Sequence, residues 1–354
     1  MSGIGSGGRA NAAPPEYIPF ADARRDQAER LRELIAVFSQ RIALGELAIP
    51  DSDDEDGPGP ILVGIGASLA AACAPVWALR ERGILAWRLG SGDAPLPFPP
   101  SHHRVIGISQ SGRSSETLAA LRSVDESLRD AVVNMASSPI ADLVGPRTMA
   151  LGSIPDSYAS TIGYTATTAV LGMVADAWNG RGIDAGWITL ADEFEAVVDG
   201  LTTSVADALN AFEGASWADV IGSGPASGSA EAGALLLREV ARVPATAMGT
   251  RQYLHGAMES AGGGVHVILG DRRELSLAAT LLDAGHRVVL VTSEVVAHRP
   301  NLHVLRVPER PAAQRAIIEA GVLQGLAEGV ARRRGIEIEE FVFHNDDTKV
   351  ATGD

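Results

Sequence analysis

The chain repeats itself. Gly64, Gly66, Arg80 and Glu81 match Gly222, Gly224, Arg238 and Glu239 at one constant offset. Val105-Ile-Gly-Ile108 and Thr117-Leu-Ala-Ala120 have weaker echoes in Val265-His-Val-Ile268 and Ser276-Leu-Ala-Ala279. A repeat of this length is the mark of a duplicated unit. Each copy opens with a short apolar run, a glycine turn and a helical pattern. Strands are expected at 61–66, 85–89, 104–108, 131–134 and 148–151. They recur at 217–222, 265–269, 287–292 and 303–307. Helices are expected between them, with a long one at 22–47, another to about Trp178, one at 188–213 and a last one at 312–334. Residues 250–256 read as loop or a short helical turn. Such alternation implies parallel sheets covered on both faces.

The sequence of 354 residues is long enough for two domains of ordinary size. Its boundaries are expected as a disordered tail over 1–20, a first domain over 21–184, a second over 185–335 and a tail over 336–354. Asp51-Ser-Asp-Asp-Glu-Asp56 reads as a solvated acidic loop. The net charge of −15 argues against a nucleic-acid or anionic-membrane partner. Cys73 is the sole cysteine, which rules out an intramolecular disulfide and a cysteine metal cluster. The first residues lack the apolar core of a signal peptide, and no apolar run reaches about 18 residues. A cytoplasmic location is the expectation.

The stretch from Ile106 to Leu118 carries the chemistry of the first copy. It holds five hydroxyls (Ser109, Ser111, Ser114, Ser115 and Thr117), Gln110 and Gly112 between a strand and a helix start. A helix N-terminus offers unpaired N–H groups and partial positive charge, which suits a phosphate. One or two serines would be capping alone; this loop has more donors than capping requires. The second copy has Leu269-Gly-Asp271 at the corresponding place, where an aspartate repels an anion.

In the second copy Glu239 falls on an apolar stripe with Ala232, Leu235, Leu236, Val240 and Val243. Burial would push its carboxyl upward, as suits a general base near neutral pH, or it forms an ion pair between domains. His255, in Thr250-Arg-Gln-Tyr-Leu-His255, is a second acid/base candidate or a surface residue. Lys349 is the sole lysine, against 28 arginines. Lysine forms Schiff bases and arginine does not; the alternative is a stray solvated side chain.

Ser109-Gln-Ser-Gly112, with Ser114, Thr117 and Leu118, resembles the phosphosugar loop of the sugar isomerase (SIS) domain family. Arg113 stands where that pattern has Glu, and Ser114 where it has Thr. Ala232 to Glu239 and Tyr253-Leu-His-Gly256 resemble the second SIS copy in the isomerase half of glutamine–fructose-6-phosphate aminotransferases. The resemblance implies two flavodoxin-like αβα domains in tandem. It implies that Glu239 moves a proton between C1 and C2 and that His255 assists ring opening from the neighbouring subunit of a homodimer. Ser68, Ser109, Gln110, Ser111, Ser114, Tyr158 and Ser160 would line the sugar phosphate. Lys349 would close the site or form an imine.

Three further positions depart from the pattern. Leu236 and Ile162 replace lysines, and Ala232 replaces Glu. Ser2 follows Met1 where the nucleophilic cysteine of a glutaminase would stand, so glutamine hydrolysis is not expected. The expected function is therefore sugar-phosphate isomerisation, or deamination of an amino-sugar phosphate, with no metal and no redox cofactor. Gly64-Ile-Gly66 lacks the third glycine of a dinucleotide fingerprint. The alternatives are a non-catalytic sugar-phosphate sensor and a dimeric scaffold with a vestigial pocket.

Overall fold

The structure is a computed structural model and describes residues 17–50, 58–93, 96–339, 341–343 and 346–350. The acidic residues 51–57 lie outside the described residues, as do 1–16.

Two five-stranded parallel sheets carry the chain. The first holds β1 (Ile61–Gly64), β2 (Trp87–Gly90), β3 (Val105–Ser109), β4 (Arg129–Val133) and β5 (Thr148–Ala150) in the order β2-β1-β3-β4-β5. The second holds β6 (Ala218–Gly222), β7 (Ala245–Met248), β8 (Val265–Leu269), β9 (Arg287–Thr292) and β10 (Leu302–Arg306), ordered β10-β9-β8-β6-β7. The two orders are the same topology, and every neighbouring pair is parallel. Central strands β3, β6 and β8 are buried at every residue, which is why they read as continuous apolar runs.

Helices fill the space between strands: α1 (Phe20–Ala43), α2 (Ala67–Ala71), α3 (Cys73–Glu81), α4 (Ser115–Arg122), α5 (Pro139–Val144) and α6 (Ile162–Ala177) in the first half. The second half has α7 (Trp187–Gly200), α8 (Thr202–Ala208), α9 (Ala226–Glu239), α10 (Thr250–Leu254), α11 (Arg273–Asp283) and α12 (Ala312–Arg334). No helix among the described residues is long and apolar enough to cross a membrane.

The structure corrects several boundaries. Tyr17 to Phe20, expected in the disordered tail, is held in place: Ile18 donates to the carbonyl of Asp156, and Phe20 starts α1 fully buried. The helix expected over 188–213 breaks at Leu201, which keeps both α7 and α8 against α12. Helix α9 stops at Glu239, short of Arg242, whose φ of 50° is left-handed. Strand β7 went unread because an edge strand of Ala and Thr, half exposed, has no continuous apolar run. Helix α5 is too short for periodicity to mark; Pro139 opens it and Ser138 caps it.

One core spans both halves. Helix α6 is buried at every residue but Asp176, and α12 is buried over most of its length. Both are therefore interior helices with apolar residues all round. Gln27 of α1 ties the two together: it donates to Gln324 of α12 at 2.6 Å and accepts from Thr165 of α6 at 2.9 Å. Buried amides need such partners, since an unpaired one costs about 1–3 kcal/mol. Repeat-related residues meet at the junction. Gly66 faces Leu235 and Gly224 faces Trp77. Helices α2 and α9 cross so closely that a Cβ on Gly228 would lie 2.6 Å from the carbonyl oxygen of Ala70. The two copies are thus arranged about an approximate two-fold axis, with Gly228 at the crossing.

Candidate functional site

Strand β3 ends at Ser109, and the chain turns through Gln110–Ser114 into α4. Gly112 makes the turn with φ 65°, and a Cβ there would lie 2.0 Å from Ser138 Oγ, so the position excludes any side chain. Hydroxyls then hold the loop open. Ser114 N donates to Ser109 Oγ at 3.4 Å, and Arg113 N donates to Ser111 Oγ at 3.3 Å. Thr117 is fully buried and donates to Ser91 and Ser114, so this hydroxyl is structural. At the head of α4 the hydroxyls of Ser114 and Ser115 donate to Glu116 Oε2 at 3.3 and 3.1 Å, beside the positive end of the helix.

Above the loop lies a cavity of about 290 Å³. Ser109, Gln110, Ser111 and Ser114 form its floor. Ser68, from the start of α2 beyond β1, forms one side, and Tyr158 and Ser160 another. Lys349 stands exposed at its mouth. All seven expected sugar-phosphate residues and the sole lysine therefore share one cavity. Its position follows from topology. The strand order reverses between β1 and β3, since β1 is followed by β2 on one side and β3 by β4 on the other, and the crevice outside their carboxyl ends is where open parallel sheets place ligands.

Five further lining residues carried no signal that was read as functional: Tyr17, Glu116, Asn134, Asp156 and Ser157. Asn134 closes a two-way bond with Ile154, donating to its carbonyl and accepting from its N–H, both at 2.8 Å. Asp156 accepts from the N–H groups of Ser157, Thr161, Ile162 and Gly163 and from the hydroxyls of Ser160 and Thr161. It caps α6 and fixes the Ser157–Ser160 wall. An acidic residue just before a helix start was the readable sign. Tyr17 stacks on Tyr158 with ring centroids 3.9 Å apart.

Glu239 and His255 are not in this cavity. Glu239 lies in a neighbouring cleft with Arg238, Arg242, Val243 and Pro244, under Phe341–Phe343 of the tail. Burial pushes its carboxyl up to about 7. Phe341 lines this cleft, and its ring lies 5.5 Å from that of Tyr158, which lines the cavity. His255 stands exposed at the end of α10 and lines neither space. The repeat partner of Glu239 is Glu81, which is exposed. The adjoining arginines do one job in both copies: Arg80 Nε donates to Ala86 O and Arg238 Nε to Ala245 O.

Leu236, Ile162 and Ala232, where the SIS pattern carries charge, are all buried, Leu236 and Ala232 within apolar clusters. In the second copy, the place of the serine loop is occupied by the chain's own carboxylate. Asp271 accepts from Ser293 N at 2.7 Å and Thr292 Oγ1 at 2.8 Å and pairs with Arg315. Burial opposes its charge, but these bonds outweigh it and hold the carboxyl at about 2. Among the described residues, no group of three or more His, Cys, Asp or Glu side chains could hold a metal ion.

No family model and no curated protein matches the chain. Solved structures do. The C-terminal domain of glucosamine-fructose-6-phosphate aminotransferase from Francisella tularensis superposes with a TM-score of 0.75 at 18% identity, covering 92% of this chain and 98% of that one. The fold is the tandem SIS fold. Glucosamine-6-phosphate deaminase from Thermotoga maritima aligns with a TM-score of 0.73 at 16% identity over 90% of this chain and 96% of its own. Tagatose-6-phosphate ketose/aldose isomerase from Escherichia coli gives 0.72 at 17% over 95% and 100%. At these identities the likeness is one of architecture. Within the SIS fold, the serine loop, the Tyr158 segment and the tail lysine of this chain converge on the first copy, and the second copy is plugged by Asp271.

Proposed function

We propose that the chain binds a sugar phosphate over the serine loop and interconverts aldose and ketose forms, or releases ammonia from an amino-hexose phosphate. The observation that carries this reading is the cavity itself. Serine hydroxyls, the N-terminus of α4 and the Lys349 amine converge where β1 and β3 diverge. Hydroxyl donors and a helix N-terminus suit a phosphate dianion. The proteins of like fold include an isomerase and a deaminase of hexose 6-phosphates by name.

In this reading the phosphate rests on Ser109, Ser111 and Ser114, and the sugar runs toward Tyr158 and Phe341. Glu239 takes the proton from C2 and returns it to C1 through an enediol, once Phe341 moves aside. A carboxyl at about 7 is matched to that task, since it is half ionised near neutral pH. Lys349 condenses with the open-chain carbonyl, losing water, or stands as a cation against the oxyanion. His255 reaches a site through a homodimer, opening the ring of the partner's sugar.

The position of Glu239 and His255 outside the cavity favours a second reading, a sugar-phosphate sensor without catalysis. Proton NMR in D2O with glucosamine 6-phosphate, and separately with fructose 6-phosphate, separates the two. Loss of the C1 or C2 proton signal, abolished by Glu239→Gln, establishes the isomerase. Line broadening of the sugar without exchange establishes the sensor. No interaction with either sugar removes both readings.

A further inference from the structure

The tail that carries Lys349 is tied to the serine loop at four points. Val350 N donates to Arg113 O at 2.9 Å, and Arg113 Nε donates back to Val350 O at 2.8 Å. Ser114 and Lys349 form an antiparallel bridge, and Ser115 Oγ donates to Asp347 O at 3.1 Å. Val350 also packs against the apolar cluster behind the loop, with Leu118 and Val133. Three of the four ties use backbone groups or a serine. The fourth depends on one side chain, and it is the residue where this chain departs from the SIS pattern. A glutamate at 113 has no N–H to give and would face the Val350 carbonyl with like charge.

We propose that Arg113 is the positioning residue that holds Lys349 over the serine loop, its side chain and backbone gripping Val350 from both sides. This rests on the reading of Lys349 as a group of the sugar-phosphate site. Arg113 itself does not line the cavity. Its effect is to limit the arc through which the neighbouring lysine swings, so that the amine stays beside the hydroxyls of Ser109, Ser111 and Ser114. A docked tail spends less ordering entropy on binding than a free one.

Lys349 is the chain's sole lysine, which gives a direct test. Reductive methylation of the full chain with carbon-13 formaldehyde yields one lysine dimethylamine signal beside that of the terminal amine. Two variants separate the hydrogen bond from bulk. Arg113→Gln keeps an N–H donor at the same number of bonds from the backbone. Arg113→Met puts a methyl group there. The expected result is a broad, docked Lys349 signal in the unmodified sequence and in Arg113→Gln, and a sharp one in Arg113→Met. Inorganic phosphate should shift the signal in the first two and bind about 5-fold more weakly to the third, the scale of one hydrogen bond. Equal melting temperatures confirm that each variant folds.

Identical line widths and identical phosphate titrations in Arg113→Met and the unmodified chain overturn the proposal. So does an Arg113→Gln signal as sharp as that of Arg113→Met. Line widths that differ as expected, with no response to inorganic phosphate or glucosamine 6-phosphate in any variant, uphold the tail clamp and sink the sugar-phosphate reading instead.

Discussion

Burial beneath Phe341 and against Pro244 pushes the Glu239 carboxyl up from 4.5 to about 7, and a measurable pH dependence follows. A group whose folded pKa is raised contributes stability at low pH that is lost as pH rises through the folded value. Glu239→Gln removes that loss. The variant should match the unmodified chain in urea denaturation at about pH 4, below the unfolded value, diverge as pH rises from there to about 7, and exceed it at pH 8 by on the order of 2 kcal/mol. Any proton exchange that uses Glu239 as base should accelerate as pH passes about 7, because only the ionised form accepts a proton. Residue chemistry of this kind was readable in the sequence. An acid on an apolar stripe announces a raised pKa. Which space each group faces was not readable, since Glu239 and Ser109 belong to different copies and only packing sets where each one lies.

Asp156 shows what was missed at the scale of an element. One carboxylate collects four backbone N–H groups and two hydroxyls at the head of α6. Asp156→Ala would leave several buried donors without a partner. We expect a loss of about 3 kcal/mol in urea denaturation, only partly recovered by Asp156→Asn, whose single amide oxygen replaces one acceptor and whose NH2 faces backbone N–H donors. The same change should loosen the Ser157–Ser160 wall of the cavity. Strongly periodic elements, such as α1 and α12, were legible because burial imposes their pattern. The short ones were not. Strand β7 and helix α5 take their conformation from neighbours and caps, and their own residues carry little preference.

The whole molecule unfolds as one unit on this account. Its two sheets share a continuous core, with α6 from the first half and α12 from the second packed on each other. Calorimetry should show a single transition whose calorimetric and van't Hoff enthalpies agree. A fragment ending at residue 184 loses α12 and exposes most of the inner face of α6, and it should not fold alone. Two separated transitions would show that the halves are independent.

The sequence by itself determined the duplication, the parallel αβα architecture and the hydroxyl-rich loop between β3 and α4. These follow from local patterns: apolar runs, turn glycines, hydroxyls before a helix. Tertiary structure decided the rest. It brought Ser68, Tyr158 and Lys349 from three distant segments to one loop, because the strand order switches between β1 and β3 and the tail is bonded to the loop at Arg113. It also paired Asp271 with Arg315 in the second copy, and it placed Glu239 in a cleft separate from the cavity, with Phe341 lining that cleft beside Tyr158. Contacts between residues hundreds of positions apart depend on how helices pack, and no local pattern encodes them.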